Sequence, residues 1–513
     1  MLDSAASWII PVGILGAIVG SFINVVIYRL PLGLSITRPA WSFCPHCRAR
    51  IRPWDNVPVL AWFYLRGRCR DCRGPIAAVY PVIECATALL FVMVWDALFI
   101  SSYVPAVQSP TTDWPIAIAY GCLFASLLAT AGMDIESYSI DIRVSVFAVV
   151  IGIAAYGVWG IPSAVLLPQR DVPTGALPPA LCVIGVAMGL TWLLPVLIVG
   201  LVARLRGSAG RNGESAEDGG QDKTAGSGPG SDPASSEAIE TGSSAKAESP
   251  GSAQPTAYAD SRARRFQAWP VAAFCLVVVA LIVWQVTAPR YQFYNRLSAG
   301  AERGFVACFL LMLLLIMASM TPREADREIV KELEEGRHEA RPMAFGELGT
   351  FIPALGVGVV LFMLLRRSGH LAVTWAEAVK ALEPVGRLAP HAAGVLLAMG
   401  ATVWAAALGW SVRILGTLAF RKEAFGTGDI YILAAIAAVT SLWNLVFGFF
   451  LTAFLALIGV TILSFRKSSR AIPFGPWLAL GAFAMLWLQK LLLENFGEVG
   501  RMLWSLVSGS PMA

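Results

Sequence analysis

Two aspartates and four cysteines are the side chains in this sequence whose types and spacing could do chemistry. Asp429 lies in FGTGDIYILAAIAAVTSLW (425–443), between glycines and an otherwise apolar run, and Asp134 closes another apolar run in ATAGMDIESYSID. An ionised carboxylate in a bilayer is disfavoured by about 2.5–3.5 kcal/mol at a helix centre and less near the boundary, so each aspartate needs a reason to be there. Two carboxylates brought together cannot both ionise easily, and one keeps a proton while the other stays charged. Such a pair can polarise a water for attack on a peptide carbonyl and protonate the departing group. Gly426 and Gly428 would let backbone and substrate approach the carboxylate closely. On pattern alone the same element also reads as a helix start with Asp429 as its N-cap. A proton-coupled transporter is a further reading, because intramembrane carboxylates mark ion paths. It predicts carboxylates near the midplane and repeats across two halves, whereas these aspartates sit at helix ends and no repeat is evident.

The cysteines form CPHC (Cys44, Cys47) and CRDC (Cys69, Cys72). Two CxxC pairs about twenty residues apart are the usual arrangement of a structural tetrathiolate zinc site, each turn pointing two thiolates at one tetrahedral centre. Arginines at 48, 50, 52, 66, 68, 70 and 73 would help keep the thiols ionised. Two disulfides are the alternative, disfavoured by a cytosolic location. Cys85, Cys122, Cys182, Cys275 and Cys308 fall singly in apolar stretches and read as small buried hydrophobes.

The elements that must position these groups are membrane helices. Hydrophobic residues make up 56% of the 513 and charged residues only 14%, a balance that excludes an ordinary soluble domain. A hydrocarbon core about 30 Å thick needs about 20 apolar residues per crossing. Such windows recur at 8–28, 81–103, 114–133, 144–166, 178–203, 268–288, 304–320, 344–365, 392–415, 429–446, 447–465 and 474–494. The expected fold is therefore an all-α polytopic membrane protein of about twelve transmembrane helices, with a small cytoplasmic zinc-binding insertion after the first. The first helix is expected to be retained rather than cleaved, for want of a basic start and a small-residue cleavage site. Arginine density between Arg29 and Arg73 places that segment in the cytoplasm, and alternation then puts both aspartates near the same bilayer face. A net charge of +5, with basic residues mostly in loops, excludes nothing by itself but makes nucleic acid a poor partner. The Gly, Ser, Ala and acidic run 207–261 makes 204–267 read as a disordered cytoplasmic linker, and 322–342 reads as a short solvated helix.

Four separated stretches, GSFINVVIYRLP (20–31), the cysteine segment through YPVIE (44–84), GTGD, and PFGPWLALGAF (473–483), together resemble the type IV prepilin peptidase family, bifunctional leader peptidases of the GxGD aspartic type. The resemblance covers roughly the first 145 and last 120 residues. It implies a membrane aspartic protease with Asp134 and Asp429 as its catalytic pair and Cys44, Cys47, Cys69 and Cys72 as zinc ligands. It further implies prepilin or pseudopilin substrates with basic leaders, a bacterial inner-membrane location with the site at the cytoplasmic face, and pilus or secretion assembly machinery as partners beside membrane lipid. Methylation of the new amino terminus with S-adenosylmethionine rests on resemblance alone, since no glycine-rich loop supports it. Asn24 reads as an interhelical hydrogen-bonding residue, though the family associates its segment with substrate or methyl-donor binding; Glu84 reads either as structural or as a neighbour of the site.

Three departures stand out. Asp141 and Ile142 replace the Pro-Asp that usually follows an apolar residue such as Ile140, Tyr431 replaces a lysine, and the two aspartates are about 295 positions apart. The first two leave a catalytically silent scaffold open as a reading. If 178–365 adds four helices, the number is even and Asp429 returns to the face of Asp134. The expected organisation is a first helix (1–31), the cysteine domain (32–80), membrane core (81–166), an additional helix (167–203), linker (204–267), additional helices with a charged loop (268–391) and membrane core with the GxGD element (392–513).

Overall fold

A computed structural model describes residues 5–160 (apart from 40, 105, 106 and 108), 177–193, 268–287, 299–319, 337–465 (apart from 374) and 473–489. The expected linker 204–267, most of the charged stretch 322–342 and the ends of the windows 178–203 and 474–494 lie outside the described residues. The longer helices are α1 (Ile9–Arg29), α2 (Val79–Trp95), α3 (Trp114–Ser137), α4 (Ile142–Trp159), α5 (Pro179–Leu193), α6 (Ala268–Thr287), α7 (Ala299–Ser319), α8 (Arg337–Arg367), α9 (Ala389–Phe420), α10 (Thr427–Val439), α11 (Leu442–Phe465) and α12 (475–489). Among the described residues, seven helices are long and apolar enough to cross a membrane, and four shorter apolar helices accompany them. In lipid each segment must close its own backbone hydrogen bonds, so helices are what such a composition can build.

Small residues set the packing of the core. On α1, Gly16 and Gly20 lie so close to α2 that an added Cβ would stand 2.8 Å from Ala88 Cα and 2.7 Å from Glu84 Cα. Lipid gives apolar side chains little reason to choose one another over acyl chains, so this close backbone approach is what selects the α1–α2 pair. The core continues through α3, α4, α9, α10 and α12. The added helices lie around it. Gly400 of α9 admits the Cys182 backbone of α5, Phe305 of α7 packs on Phe483 of α12 with ring centroids 6.2 Å apart, and Cys275 of α6 meets Cys85 of α2 with sulfurs 3.3 Å apart. Cys85 and Cys275 are buried, as small hydrophobes should be, but they are also a pair.

The tenth window departs from expectation. Instead of one span over 429–446, α10 ends at Val439, and α11 begins at Leu442 after a turn at Thr440–Ser441, where Ser441 has φ +133°. The Ser441 hydroxyl accepts from the Asn444 backbone N–H at 3.3 Å, starting the next helix. At about 1.5 Å per residue, thirteen residues reach about 20 Å, short of a hydrocarbon core about 30 Å thick. The charged stretch also departs where it is described: 337–342 forms the first turns of α8 rather than the end of a separate helix.

Candidate active site and metal centre

The cysteine loop hangs from the end of α1 by one buried side chain. Arg29 donates to the carbonyls of Ser35, Ile36, Pro39 and Trp41 at 3.0–3.2 Å. The two CxxC turns then fold alike. Cys44 N–H bonds Ala49 O (2.9 Å) and Arg48 N–H bonds Cys44 O (2.8 Å); Cys69 N–H bonds Gly74 O (2.8 Å) and Arg73 N–H bonds Cys69 O (3.1 Å). Arg48 and Arg73, each four residues after the first cysteine of its pair, have φ +58° and +59°, conformations uncommon for a side chain with a Cβ. The four sulfurs lie within 4.8 Å of one another, with Cys44 and Cys72 3.9 Å apart. A tetrahedral zinc with bonds of about 2.3 Å needs sulfurs about 3.8 Å apart, so the donor set fits that ion. Burial pushes the Cys44 thiol up to about 12. Among the nearby arginines, Arg70 is committed to Asp55, which it grips with two bonds of 2.5 and 2.7 Å.

A cleft of about 170 Å³ opens between this loop and the first two helices, lined among others by Asn24, Tyr28, Trp62, Tyr80 and Glu84. Asn24 Nδ2 donates to Gly20 O (3.3 Å) and Tyr80 O (3.1 Å), while its Oδ1 is buried without a hydrogen-bond partner among the described residues. Glu84 accepts from the Val59 backbone N–H at 2.6 Å. Val59 has φ +62°, a strained conformation for a β-branched residue, so Glu84 fastens the loop at its most strained backbone position. Neither aspartate lines this cleft.

The aspartates meet at helix ends. Asp134 occupies the last turn of α3 and is 6% exposed; Asp429 is on the first turn of α10 and is 8% exposed. The N-cap of α10 is Gly426, not Asp429. The two carboxylates are near enough to act on each other electrostatically. A carboxylate at a helix C-terminus faces the negative end of the dipole, and the chain offsets this by aiming another helix start at it: Gly475 N–H donates to Asp134 Oδ2 at 2.8 Å. Asp429 Oδ2 lies over Gly426, where a Cβ would stand 3.0 Å away, and Oδ1 is buried without a hydrogen-bond partner among the described residues. Gly428 packs on Ile140, leaving no room for a side chain (a Cβ would be 2.7 Å from that of Ile140). Asp141 has a local role: it caps α4 through Arg143 N–H (2.9 Å), and the Arg143 guanidinium holds its carboxyl below the ordinary carboxylate range.

Residues 14–98 match the family model of the Bacterial Peptidase A24 N-terminal domain. Over this region the chain resembles the type IV prepilin peptidase family. It is 36% identical over 142 residues to a type 4 prepilin-like proteins leader peptide-processing enzyme of Escherichia coli O78:H11 (strain H10407 / ETEC), covering 24% of this chain and 46% of that protein. It is 42% identical over 108 residues to a prepilin leader peptidase/N-methyltransferase of Dickeya chrysanthemi (17% and 38%), and 51% identical over 78 residues to one of Myxococcus xanthus (strain DK1622) (15% and 23%). The chain spans less than half the length of these curated relatives. No solved structure matches. The matched A24 region holds α1, the cysteine loop, the cleft and α2; Asp134 and Asp429 lie beyond it.

The structure thus brings Asp134, Asp429, Gly426 and Gly428 to one place, the four cysteines to a second, and Asn24 with Glu84 to a cleft beside the cysteines. Sequence reasoning missed Gly475 and Arg29. The signal for Gly475 was available in PFGP, a glycine at the mouth of an apolar helix, but its partner is 341 positions away.

Proposed function

We propose that this protein is a membrane-embedded aspartic endopeptidase of the prepilin peptidase family that removes basic leader peptides from prepilin-like or pseudopilin substrates. The observation that carries the reading is the meeting of two buried aspartates at opposite helix ends, one held by a backbone N–H and the other with an unpartnered oxygen. In this reading one carboxylate accepts a proton from a water whose oxygen attacks the scissile carbonyl carbon. The protonated partner supplies the proton that the departing amine needs, and the Asp134–Gly475 bond keeps that geometry. In this reading the bare backbone of Gly426 lets an extended substrate approach Asp429, while Gly428 is needed for the close packing on Ile140.

The remaining features extend the proposal. Cys44, Cys47, Cys69 and Cys72 would hold a structural zinc that fixes the loop over α1 and α2. The cleft, with aromatic faces, a carboxylate and an unpartnered amide oxygen, suits a cationic sulfonium donor such as S-adenosylmethionine, so that the same chain could methylate the new amino terminus; Trp62, Tyr80, Glu84 and Asn24 would hold it. Twelve crossings, a bacterial inner-membrane location, an active site at the cytoplasmic face and delivery of products to pilus or secretion assembly machinery belong to the same reading. The test is leader cleavage of a matched pilin-like substrate in proteoliposomes. Asp134→Asn and Asp429→Asn should each abolish it without altering membrane insertion or zinc content, and the double variant should be no worse than either single one, because groups acting as a unit are non-additive. Cleavage surviving in either single variant would overturn the pair.

A further inference from the structure

We propose that Arg413 is a positioning residue that couples the added helix α8 to the loop carrying Asp429, so that the helices inserted between the two aspartates hold the catalytic loop in place. This rests on the peptidase reading above. Arg413 lies on α9, two turns before its end, and its side chain is 4% exposed. Its Nε donates to both carboxylate oxygens of Glu347 on α8, at 3.0 and 3.1 Å. Its Nη1 donates to Glu423 and, at 2.5 Å, to the carbonyl of Phe425. Its guanidinium stands 5.8 Å from the Trp410 ring centroid.

These partners come from three places. Glu347 belongs to the inserted segment, Arg413 to the core, and Glu423 with Phe425 to the turn between α9 and α10. Phe425 directly precedes Gly426, the residue from which α10 starts and over which Asp429 lies. Its ring packs on Phe474, centroids 5.6 Å apart, and Phe474 precedes Gly475, whose N–H holds Asp134. Arg413 therefore fixes, through one carbonyl, a residue that touches the supports of both aspartates. A guanidinium is suited to this because its planar fork presents five donors in fixed directions; an ammonium could serve one partner at a time.

Within the network Glu347 is the member with leverage. Its side chain is 18% exposed, whereas that of Glu423 is 42% exposed and has solvent as an alternative. With Glu347 neutralised, the only charged partner Arg413 keeps among those named is the more exposed Glu423, and its bond to the Phe425 carbonyl loses the anchor on α8. A small shift of the Phe425 carbonyl then moves the start of α10, and a displacement of about 1 Å in a reacting group can cost about 100-fold in rate.

The experiment compares wild type, Glu347→Gln and Arg413→Lys as full chains in proteoliposomes. Both substitutions keep a polar group of similar size, so folding should survive where Arg413→Gln, which strands two glutamates, need not. Hydrogen–deuterium exchange at amides 423–429 should quicken several-fold in both variants while 433–439 is unchanged. Leader cleavage should show kcat lowered about 10-fold with KM moved less than twofold. Unchanged exchange in both variants would overturn the coupling, whether or not the protein cleaves anything. A loosened loop with unaltered kcat would overturn the positioning role. A wild type that cleaves no leader would defeat the peptidase reading instead, and the exchange comparison would still decide whether α8 reaches the loop.

Discussion

Gly475→Ala isolates the support of Asp134 from its chemistry. An alanine there keeps the N–H that donates to Asp134 Oδ2, but its methyl carbon would stand 2.9 Å from that oxygen and 3.5 Å from the aspartate Cβ and Cγ. The first distance is roughly 0.5 Å short of ordinary contact, so the carboxylate must swing away or the 2.8 Å bond must stretch. If about 1 Å of misplacement costs about 100-fold, half of that costs about 10-fold, equivalent to about 1.4 kcal/mol in the barrier. Stability should hardly change. Alanine gains up to about 1 kcal/mol over glycine in a helix, which offsets the displacement of a terminal oxygen. The expected result is cleavage slowed about 10-fold with a melting temperature within a few degrees of wild type. Gly356→Ala on α8, where an added Cβ meets nothing within 4 Å, is the control and should cleave normally. Wild-type cleavage by Gly475→Ala, or a loss of cleavage matched by a loss of folding, would refute the argument that this backbone position aims Asp134.

Metal analysis of the purified protein should find about one zinc per chain, and Cys44→Ser with Cys69→Ser should lose it; full zinc in that double variant would exclude the site. Asp141→Asn should retain most cleavage, since Asp141 serves the start of α4 and not the aspartate pair. Because Arg143 depresses the folded-state value of Asp141, its stabilising contribution is complete above the unfolded value of about 3.9 and fades as pH falls through the folded one. The melting difference between wild type and Asp141→Asn should therefore shrink on acidification, and a difference that grew would contradict the ion pair.

What was legible in the sequence follows from distance along the chain. CPHC and CRDC each close a turn within a few residues, so the clustering of four sulfurs could be read from local spacing alone. The closeness of Gly426 to Asp429 was legible for the same reason, whereas the packing of Gly428 on Ile140, about 290 positions earlier, was not. The bond from Gly475 to Asp134 joins residues 341 positions apart, and no periodicity in either segment encodes it. Arg413 was lost inside a long apolar helix where a single arginine carries no pattern, and its partners come from two other elements. The misjudged length of α10 has a different cause. A hydropathy window averages over Thr440 and Ser441 and cannot see that a serine hydroxyl there begins a new helix.

The inserted helices obey a constraint that the pair of aspartates imposes. Between Asp134 and Asp429 the described residues hold six helices of ten residues or more, α4 to α9, besides the short helix Trp375–Ala381, which cannot cross. If each crosses the bilayer once, an even number returns the chain to the face it left, and only then can the end of α3 meet the start of α10. Helices could therefore be added here only in pairs, and they had to pack outside the core rather than between its members. The second condition is visible: α5 and α8 lie against α9, and α6 lies against α2, so none of these separates α3 from α10. Contact with α9 is also what gives α8 access to the loop, because Arg413 stands on the face of α9 that α8 covers. An insertion that had to stay on the perimeter thereby gained a side chain, Glu347, within reach of the one arginine that holds the turn before Asp429.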